Sequence, residues 1–263
     1  MTARLRSSAR AALPPIAFGV LFVAAWELVV KGFDLKPYFL APPSSIWDKF
    51  VENFGLIWGA TKVSGSNAVT GLIAGAVLGA LMSLVLSRYR VLNELVTPLA
   101  IALNAIPIFV LVAVLNNMFS ITSEVPRRIM VTLVVYFIVL VNVAKGLTQV
   151  SPTHVELMKS YAASDLQILR RVRIPNAVPY LFTGLRLAAP ASVITAFVSE
   201  YFGGSQNGLG SRITGNIAIS KNAVAWAYVL AACLLGLVFY VISSVLEGAA
   251  TPGGGAKRAK EGR

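Results

Sequence analysis

Residues 66–87 read SNAVTGLIAGAVLGALMSLVLS, a stretch with no charged side chain. A helix rises about 1.5 Å per residue, so roughly twenty such residues cross the ~30 Å hydrocarbon core of a bilayer. Five comparable apolar runs lie near 13–30, 94–115, 128–147, 178–201 and 222–246. Each fits one membrane crossing with some tilt or shortening. The reading that follows is an all-α membrane protein, a polytopic bundle of about six transmembrane helices.

Composition agrees. Of 263 residues, 56% are hydrophobic and only 13% charged, about half the charged share of a soluble domain. The net charge of +12 sits mainly between the apolar runs and at the chain ends, as a cytoplasmic membrane face requires. No basic stripe interleaved with aromatics forms a nucleic-acid platform, so the partner is the lipid bilayer. The single cysteine, Cys233, and single histidine, His154, exclude an intrachain disulfide and a His-rich metal centre. No cofactor is expected.

With the N-terminus inside, alternate loops carry fourteen Lys and Arg on the inner side against eight on the outer, with Arg186 inside a run. Both termini are therefore expected in the cytoplasm of a multi-pass inner or plasma membrane protein, although Arg127 and Arg128 fall on the unfavoured side. The basic N-terminus resembles a signal peptide. Its apolar stretch is longer than a typical signal core and lacks a cleavage site, which favours an uncleaved first helix. Three regions result: a cytoplasmic segment over 1–12, the membrane domain over 13–250, and a Gly-rich, basic tail over 251–263 that is expected to be disordered.

Gly71, Gly75 and Gly79 recur at four-residue spacing, leaving one helix face nearly bare. Packing within the bundle accounts for it better than a dedicated dimer face, although small-residue stripes serve both. Downstream of Pro42 and Pro43, Ser44 or Ser45 suits the cap of a short interfacial helix in which Ile46, Trp47, Phe50, Val51 and Phe54 share a face.

The loop between the fourth and fifth runs, Ser151–Pro175, reads SPTHVELMKSYAASDLQILRRVRIP. Thr153 with Glu156 forms a capping-box pattern, and Ser151-Pro152 is an alternative start. Tyr161-Ala162-Ala163-Ser164 makes a small-residue bend. Arg170, Arg171 and Arg173 follow, and Pro175 is expected to stop the ladder before the chain re-enters the membrane. This predicts a short cytoplasmic helix and a tight turn.

That loop resembles the EAA loop of ABC import permeases. Glu156, Leu157 and Met158 stand at the Glu-Ala-Ala triplet, Ala162 at the glycine four residues on, and Ile174-Pro175 at the closing Ile/Leu-Pro, without a gap. The two alanines are larger here and the glycine is an alanine. Leu40-Ala41-Pro42-Pro43-Ser44, Asn104-Ala105-Ile106-Pro107, Pro179–Arg186, and Glu200 with Gly208-Leu209-Gly210 extend the likeness. They are similar to nitrate/sulfonate/taurine-type permeases, a group that includes riboflavin and pyrimidine-precursor relatives. The resemblance implies a binding-protein-dependent inner-membrane component that forms the path for a small solute. It also implies cytoplasmic ABC ATPase subunits, an extracytoplasmic substrate-binding protein and a second permease copy as partners. The loop would be a coupling helix carrying Glu156, Leu157, Met158, Ala162, Ala163, Ile174 and Pro175.

Polar residues inside the runs are the candidates for the path: Asn104, Asn142, Thr195, Ser199 and Glu200, with Ser192 beside them. Interhelical hydrogen bonding explains the uncharged ones equally well; for Glu200 a satisfied structural carboxylate is favoured over a gate or docking role. Glu27 reads as structural, and Arg186 lies close enough to the inner end to snorkel. No Walker A pattern is present, so the chain is not expected to be an enzyme. The competing reading is an ion-coupled secondary transporter, which needs mid-membrane ionisable groups or an internal repeat. No clear repeat is found. The sequence does not identify the solute.

Overall fold

The computed structural model describes residues 2–36, 39–89, 107–119, 123–203 and 207–250. They form α1 (Thr2–Gly32), α2 (Pro43–Glu52), α3 (Phe54–Arg88), α4 (Ile108–Met118), α5 (Val125–Thr148), α6 (Pro152–Ser160) and α7 (Asp165–Ile168). A π turn (Leu169–Arg173) then leads into α8 (Ile174–Tyr201), followed by α9 (Leu209–Ala218) and α10 (Asn222–Ala250). Four of the described helices are long and apolar enough to cross a membrane: α3, α5, the continuous helix Asp165–Tyr201, and α10. The first apolar run lies within α1. Most of the third falls outside the described residues, along with Asn104 and the basic tail.

The centre of the bundle is α5, which packs along α3 on one side and α8 on the other. Val131, Val135, Val139, Val143 and Leu147 of α5 meet Ala68 of α3 and Ala177, Ala188, Val193 and Ala196 of α8, all buried. β-Branched and small side chains dominate this seam, so the helices approach closely. A Cβ on Gly71 would lie 2.4 Å from Val131 Cβ; on Gly75 or Gly79 it would lie 2.6 Å from the carbonyl oxygens of Thr132 and Tyr136. The glycine stripe is thus consumed inside one chain, against α5.

A second cluster sits at the α9 end of the bundle. There Ile57 and Ala60 of α3, Leu209 and Ile213 of α9, and Ala225, Tyr228 and Ala231 of α10 bury one another. On the periphery, α1 rests on α2 and meets α10 through the edge contact of Trp26 with Trp226, 5.5 Å between ring centres.

The short helix expected after Pro43 forms, with its entry and exit placed differently from the sequence reading. Pro42 is its N-cap and Pro43 its first residue, so Ser44 is already inside the helix and caps nothing. Instead Glu27 of α1 accepts the Ser44 amide at 3.0 Å and the Ser44 hydroxyl at 2.7 Å. A carboxylate so placed faces the positive end of the helix dipole. The helix ends at Glu52, and Phe54 opens α3. Trp47 stacks on Phe50 and Phe54 on Trp58, and an edge contact of Phe50 with Phe54 joins the two pairs across the break.

Candidate functional sites: the α6 hairpin and the Glu200 clamp

Sequence reasoning places α6 well and its chemistry less so. Pro152 occupies the first turn, where a missing N–H costs nothing, and Ser151 is the N-cap without a side-chain hydrogen bond. Thr153 is therefore one residue too deep to cap, and the Thr153–Glu156 box does not form. The box that does form is Ser164 with Gln167, each accepting the other's backbone N–H, at the start of α7.

Between the two helices the chain turns on Ala162, whose φ is +53°. The Ala162 N–H reaches Lys159 O at 2.9 Å and the Ala163 N–H reaches Met158 O at 3.0 Å. These two bonds make a Schellman motif with Ala162 at its left-handed position. This position therefore favours glycine by backbone conformation. A Cβ in this region costs about 1–2 kcal/mol.

Pro175 does not end the helix. The π turn widens the ladder so that the Ile174 N–H bonds to Leu169 O, five residues back. Pro175, which has no N–H, follows within the first turn of α8. A π bulge is one of the few devices that carries a helix past such a residue. Side chains of α8 tie the hairpin to the end of α5. Asn176 Nδ2 donates to Gly146 O (2.7 Å) and Gln149 O (3.1 Å), and Tyr180 donates to Gln149 Oε1. These groups satisfy carbonyls that α5 leaves open at its last turn. The sequence reading missed Asn176, although a polar residue directly after Pro175 was a visible signal. A Cβ on Gly146 would lie 2.8 Å from Ala177 Cα, so the anchor is a close backbone contact.

No residue of α6 is buried. Glu156, Leu157 and Ala162 are exposed, Met158 and Ala163 half-buried. Leu157, Leu166 and Tyr161 present 53%, 54% and 77% of their surface. Ile174 is half-buried and Pro175 exposed, one helix further on. α6 thus presents apolar side chains and contributes none to the core.

The opposite end holds the second site. Glu200, 2% exposed, accepts the Ser64 hydroxyl at 2.7 Å and the Gly210 N–H at 3.1 Å on one oxygen. Ser64 Oγ in turn accepts the Leu209 N–H at 2.9 Å. The first two amides of α9 are therefore held by a hydroxyl from α3 and a carboxylate from α8. A Cβ on Gly208 would meet Glu200 Cδ at 2.2 Å, and one on Gly210 would meet Phe197 O at 2.3 Å. Both glycines of Gly208-Leu209-Gly210 are required by this approach. Glu200 also borders an open cavity of about 510 Å³ with Tyr201, Arg212 and Asn216.

The other path candidates do not gather there. Thr195 and Ser199 are buried, as is Ser192; the two serine hydroxyls donate to their own helix at Ala189 O and Ala196 O. Asn142 donates to Ile138 O and packs on Gly184. Two polar clusters escaped the sequence reading. Arg127, 1% exposed, donates to Glu124 at 2.8 Å and to Ser123 O. Asn67 bridges Glu124 and Arg128, which explains how two arginines are tolerated at that end. Arg186 does not snorkel free. It pairs with Glu247 of α10 at 2.9 Å and donates to Tyr240, while Thr183 donates to the other Glu247 oxygen.

Residues 71–252 match the family described as binding-protein-dependent transport system inner membrane component. The chain is 29% identical to a probable ABC transporter permease protein of Haemophilus influenzae, covering 86% of this chain and 89% of that one. It is 28% identical to the formylaminopyrimidine transport permease protein of Halalkalibacterium halodurans, covering 92% and 96%. In fold it is similar to a chain in the crystal structure of an amino acid ABC transporter with histidines, with a TM-score of 0.59 over 75% of this chain and 95% of that one at 14% identity.

Proposed function

The chain belongs to the binding-protein-dependent inner-membrane component family, and on that premise we propose how it works within its importer. As a permease subunit it is a transport component of the inner membrane, in association with an ATPase and a substrate-binding protein; ATP hydrolysis belongs to the separate ATPase. Six crossings place both termini and α6 in the cytoplasm, and α9 faces the external binding protein. Two copies of the chain enclose the path. The solute is small: a pyrimidine precursor like that named for the Halalkalibacterium relative, riboflavin, or a sulfonate, taurine or nitrate-like anion. Selection among them rests mainly with the binding protein.

The observation that carries the coupling role is α6 itself. It is fixed at one end by Pro152 and at the other by the Ala162 turn, yet buries no residue. A helix held this firmly without a core of its own suits seating in a cleft of the ATPase, with Glu156, Leu157, Met158, Ala162 and Ala163 at the contact. Ile174 and Pro175 at the start of α8 would carry its displacement into the bundle. Glu200, at the α9 end, is the path candidate with an open cavity beside it, and it also positions α9. Asn104, Asn142, Thr195 and Ser199 are proposed to act along the path through helix packing.

The test is Leu157→Asp in cells that also express the ATPase. Uptake and ATPase co-purification should both be lost while membrane abundance stays near that of the parent, since no core contact is touched. Normal uptake with the ATPase still bound would refute the assignment.

A further inference from the structure

We propose that the basic cavity beside the α6 hairpin receives an acidic side chain of the ATPase, a contact that rests on the reading of α6 as the docking element. The cavity, about 360 Å³, lies between the end of α3, α6 and the start of the Asp165–Tyr201 helix. Arg88, Lys159 and Arg173 line it, with Asp165 as the single carboxylate. Arg88 meets Asp165 only at 3.4 Å, with both side chains more than half exposed, and such a pair neutralises little. Lys159, in the last turn of α6, and the half-buried Arg173 have no acidic partner among the described residues. The excess continues around the cavity, where residues 145–175 add Lys145, Arg170 and Arg171 against one further acid, Glu156. A guanidinium fork and an ammonium converging on one concave wall match the two oxygens of a carboxylate.

Position and composition select a protein over a lipid or a free ion. Arg173 and Asp165 stand five and thirteen residues before Val178, where the apolar run of α8 begins. That part of the lining therefore extends roughly 7.5–20 Å beyond the run, mostly past a headgroup layer of about 5–8 Å. Val155, Leu166 and Leu169 share the wall with the cations, and Leu166 leaves 54% of its surface exposed. A hydrated inorganic anion gains nothing from that apolar surface. An Asp or Glu arriving with its neighbours covers it and pairs the charge in one step. The cavity also adjoins the docking helix. Val155 and Lys159, one turn apart on α6, face it, while Leu157, Met158 and His154 border a separate cavity on another flank of the same helix. A surface that seats α6 spans both.

The experiment measures the Kd of the full chain, in nanodiscs containing phosphatidylserine, for the ATPase of the same importer. It is read at about 0.05 M and 0.5 M salt, a range over which the screening length falls roughly threefold. Lys159→Gln with Arg173→Gln should weaken binding roughly five- to tenfold at the lower salt and less than about twofold at the higher. Lys145→Gln removes an exposed charge outside the cavity and should change the Kd less than about twofold at either. The carbodiimide EDC condenses an amine with a touching carboxylate, with net loss of water and no spacer. The parent complex should therefore yield an amide between Lys159 Nζ and an Asp or Glu of the ATPase, read by peptide mass spectrometry. Lys159→Arg keeps the charge without the reactive amine, so it should keep the affinity and lose that product. Should the glutamine pair fail to express, Arg173→Gln alone must weaken low-salt binding about threefold. A complex that yields no such amide, or a glutamine pair that binds as tightly as the parent at low salt, overturns the proposal. An amide from Lys159 to phosphatidylserine instead would assign the cavity to lipid. These failures leave the reading of α6 standing wherever Leu157→Asp still releases the ATPase, whereas a complex that survives Leu157→Asp removes that reading itself.

Discussion

Ala162 separates two reasons for keeping a small residue at the turn after α6. If size alone mattered, because the ATPase surface comes close, any larger side chain would weaken docking. The structure gives a different reason, since φ at Ala162 is +53° and the two bonds of the Schellman motif depend on it. An L-residue pays about 1–2 kcal/mol for that conformation. Ala162→Gly releases this cost but returns about 0.4–1 kcal/mol through the greater freedom of the unfolded chain. The net effect is a hairpin more stable by roughly 0.5–1 kcal/mol, or about two- to fivefold in the population of the closed turn. Ala162→Asn enlarges the side chain yet tolerates left-handed backbone, so it should behave like the parent. Ala162→Val is at least as bulky as Asn but is strongly disfavoured there, and Ala162→Pro both fixes φ near −65° and removes the N–H that reaches Lys159. The expected order of hairpin protection is Gly, then Ala and Asn, then Val, then Pro. Hydrogen exchange across residues 157–168 measures it in the purified chain, and ATPase co-purification should follow the same order. If Asn loses the ATPase as fully as Val, size governs the turn and the backbone argument fails.

At the α9 end, Gly208→Ala and Gly210→Ala should each lower thermal stability in detergent, by about 1–3 kcal/mol as overpacking against Glu200 and the α8 backbone. Gly236→Ala, which meets nothing within 4 Å, should leave it unchanged or raise it slightly; equal melting of all three would contradict the clamp. Gly75→Ala should separate α3 from α5 and reduce membrane abundance, because its Cβ would press on Thr132 O; normal abundance would show the seam to be looser than described. Arg186→Leu and Glu247→Leu should each impair stability more than the two together, since either alone leaves a charge unpaired in an apolar helix. Reporter fusions at Gly59 and Gln206 should read outside and those at Arg88 and Gly262 inside. A cytoplasmic reading at Gln206 would remove the six-crossing topology.

Much of the fold was legible because membrane helices declare themselves by length and by the absence of charge. The run at 66–87 lies within α3, and the runs at 128–147, 178–201 and 222–246 lie within α5, α8 and α10. What escaped was whatever depends on two segments meeting. Glu200 could be singled out as a costly carboxylate and grouped with Gly208-Leu209-Gly210, but its other partner, Ser64, lies 136 residues away, and no local pattern pairs them. Glu247 lies one residue past the last apolar run and could not be joined to Arg186 before α8 and α10 were in place. The capping error at Ser44 has the same origin, since the acceptor came from Glu27 on another helix.

Pro175 is the more instructive departure. The rule that proline stops a helix assumes a strict four-residue ladder. Here Ile174 bonds five residues back to Leu169, which opens the ladder by one residue immediately before the proline. The helix runs on from Asp165 to Tyr201. The consequence is mechanical. Had the helix broken at Pro175, a displacement of α6 would be absorbed by a loose joint before reaching the bundle. With the π turn, the stretch from the Ser164–Gln167 box to Glu200 is one continuous helix, with Pro179 and Pro190 inside it, anchored by Asn176 on α5 near one end and by Ser64 and α9 at the other. Replacing Pro175 by Ala restores an N–H that can bond to Arg171 O and lets the π turn collapse to a regular α-helix. That change shifts the hydrogen-bond register by one residue and rotates α7 by about 100° relative to α8, the turn per residue of an α-helix. Pro175→Ala should therefore leave the chain folded and abundant but misdirect α6, so that uptake falls while thermal stability holds or rises. Unchanged uptake with hydrogen exchange showing a regular helix across Leu169–Arg173 would mean that the register set by the π turn is not needed for transport.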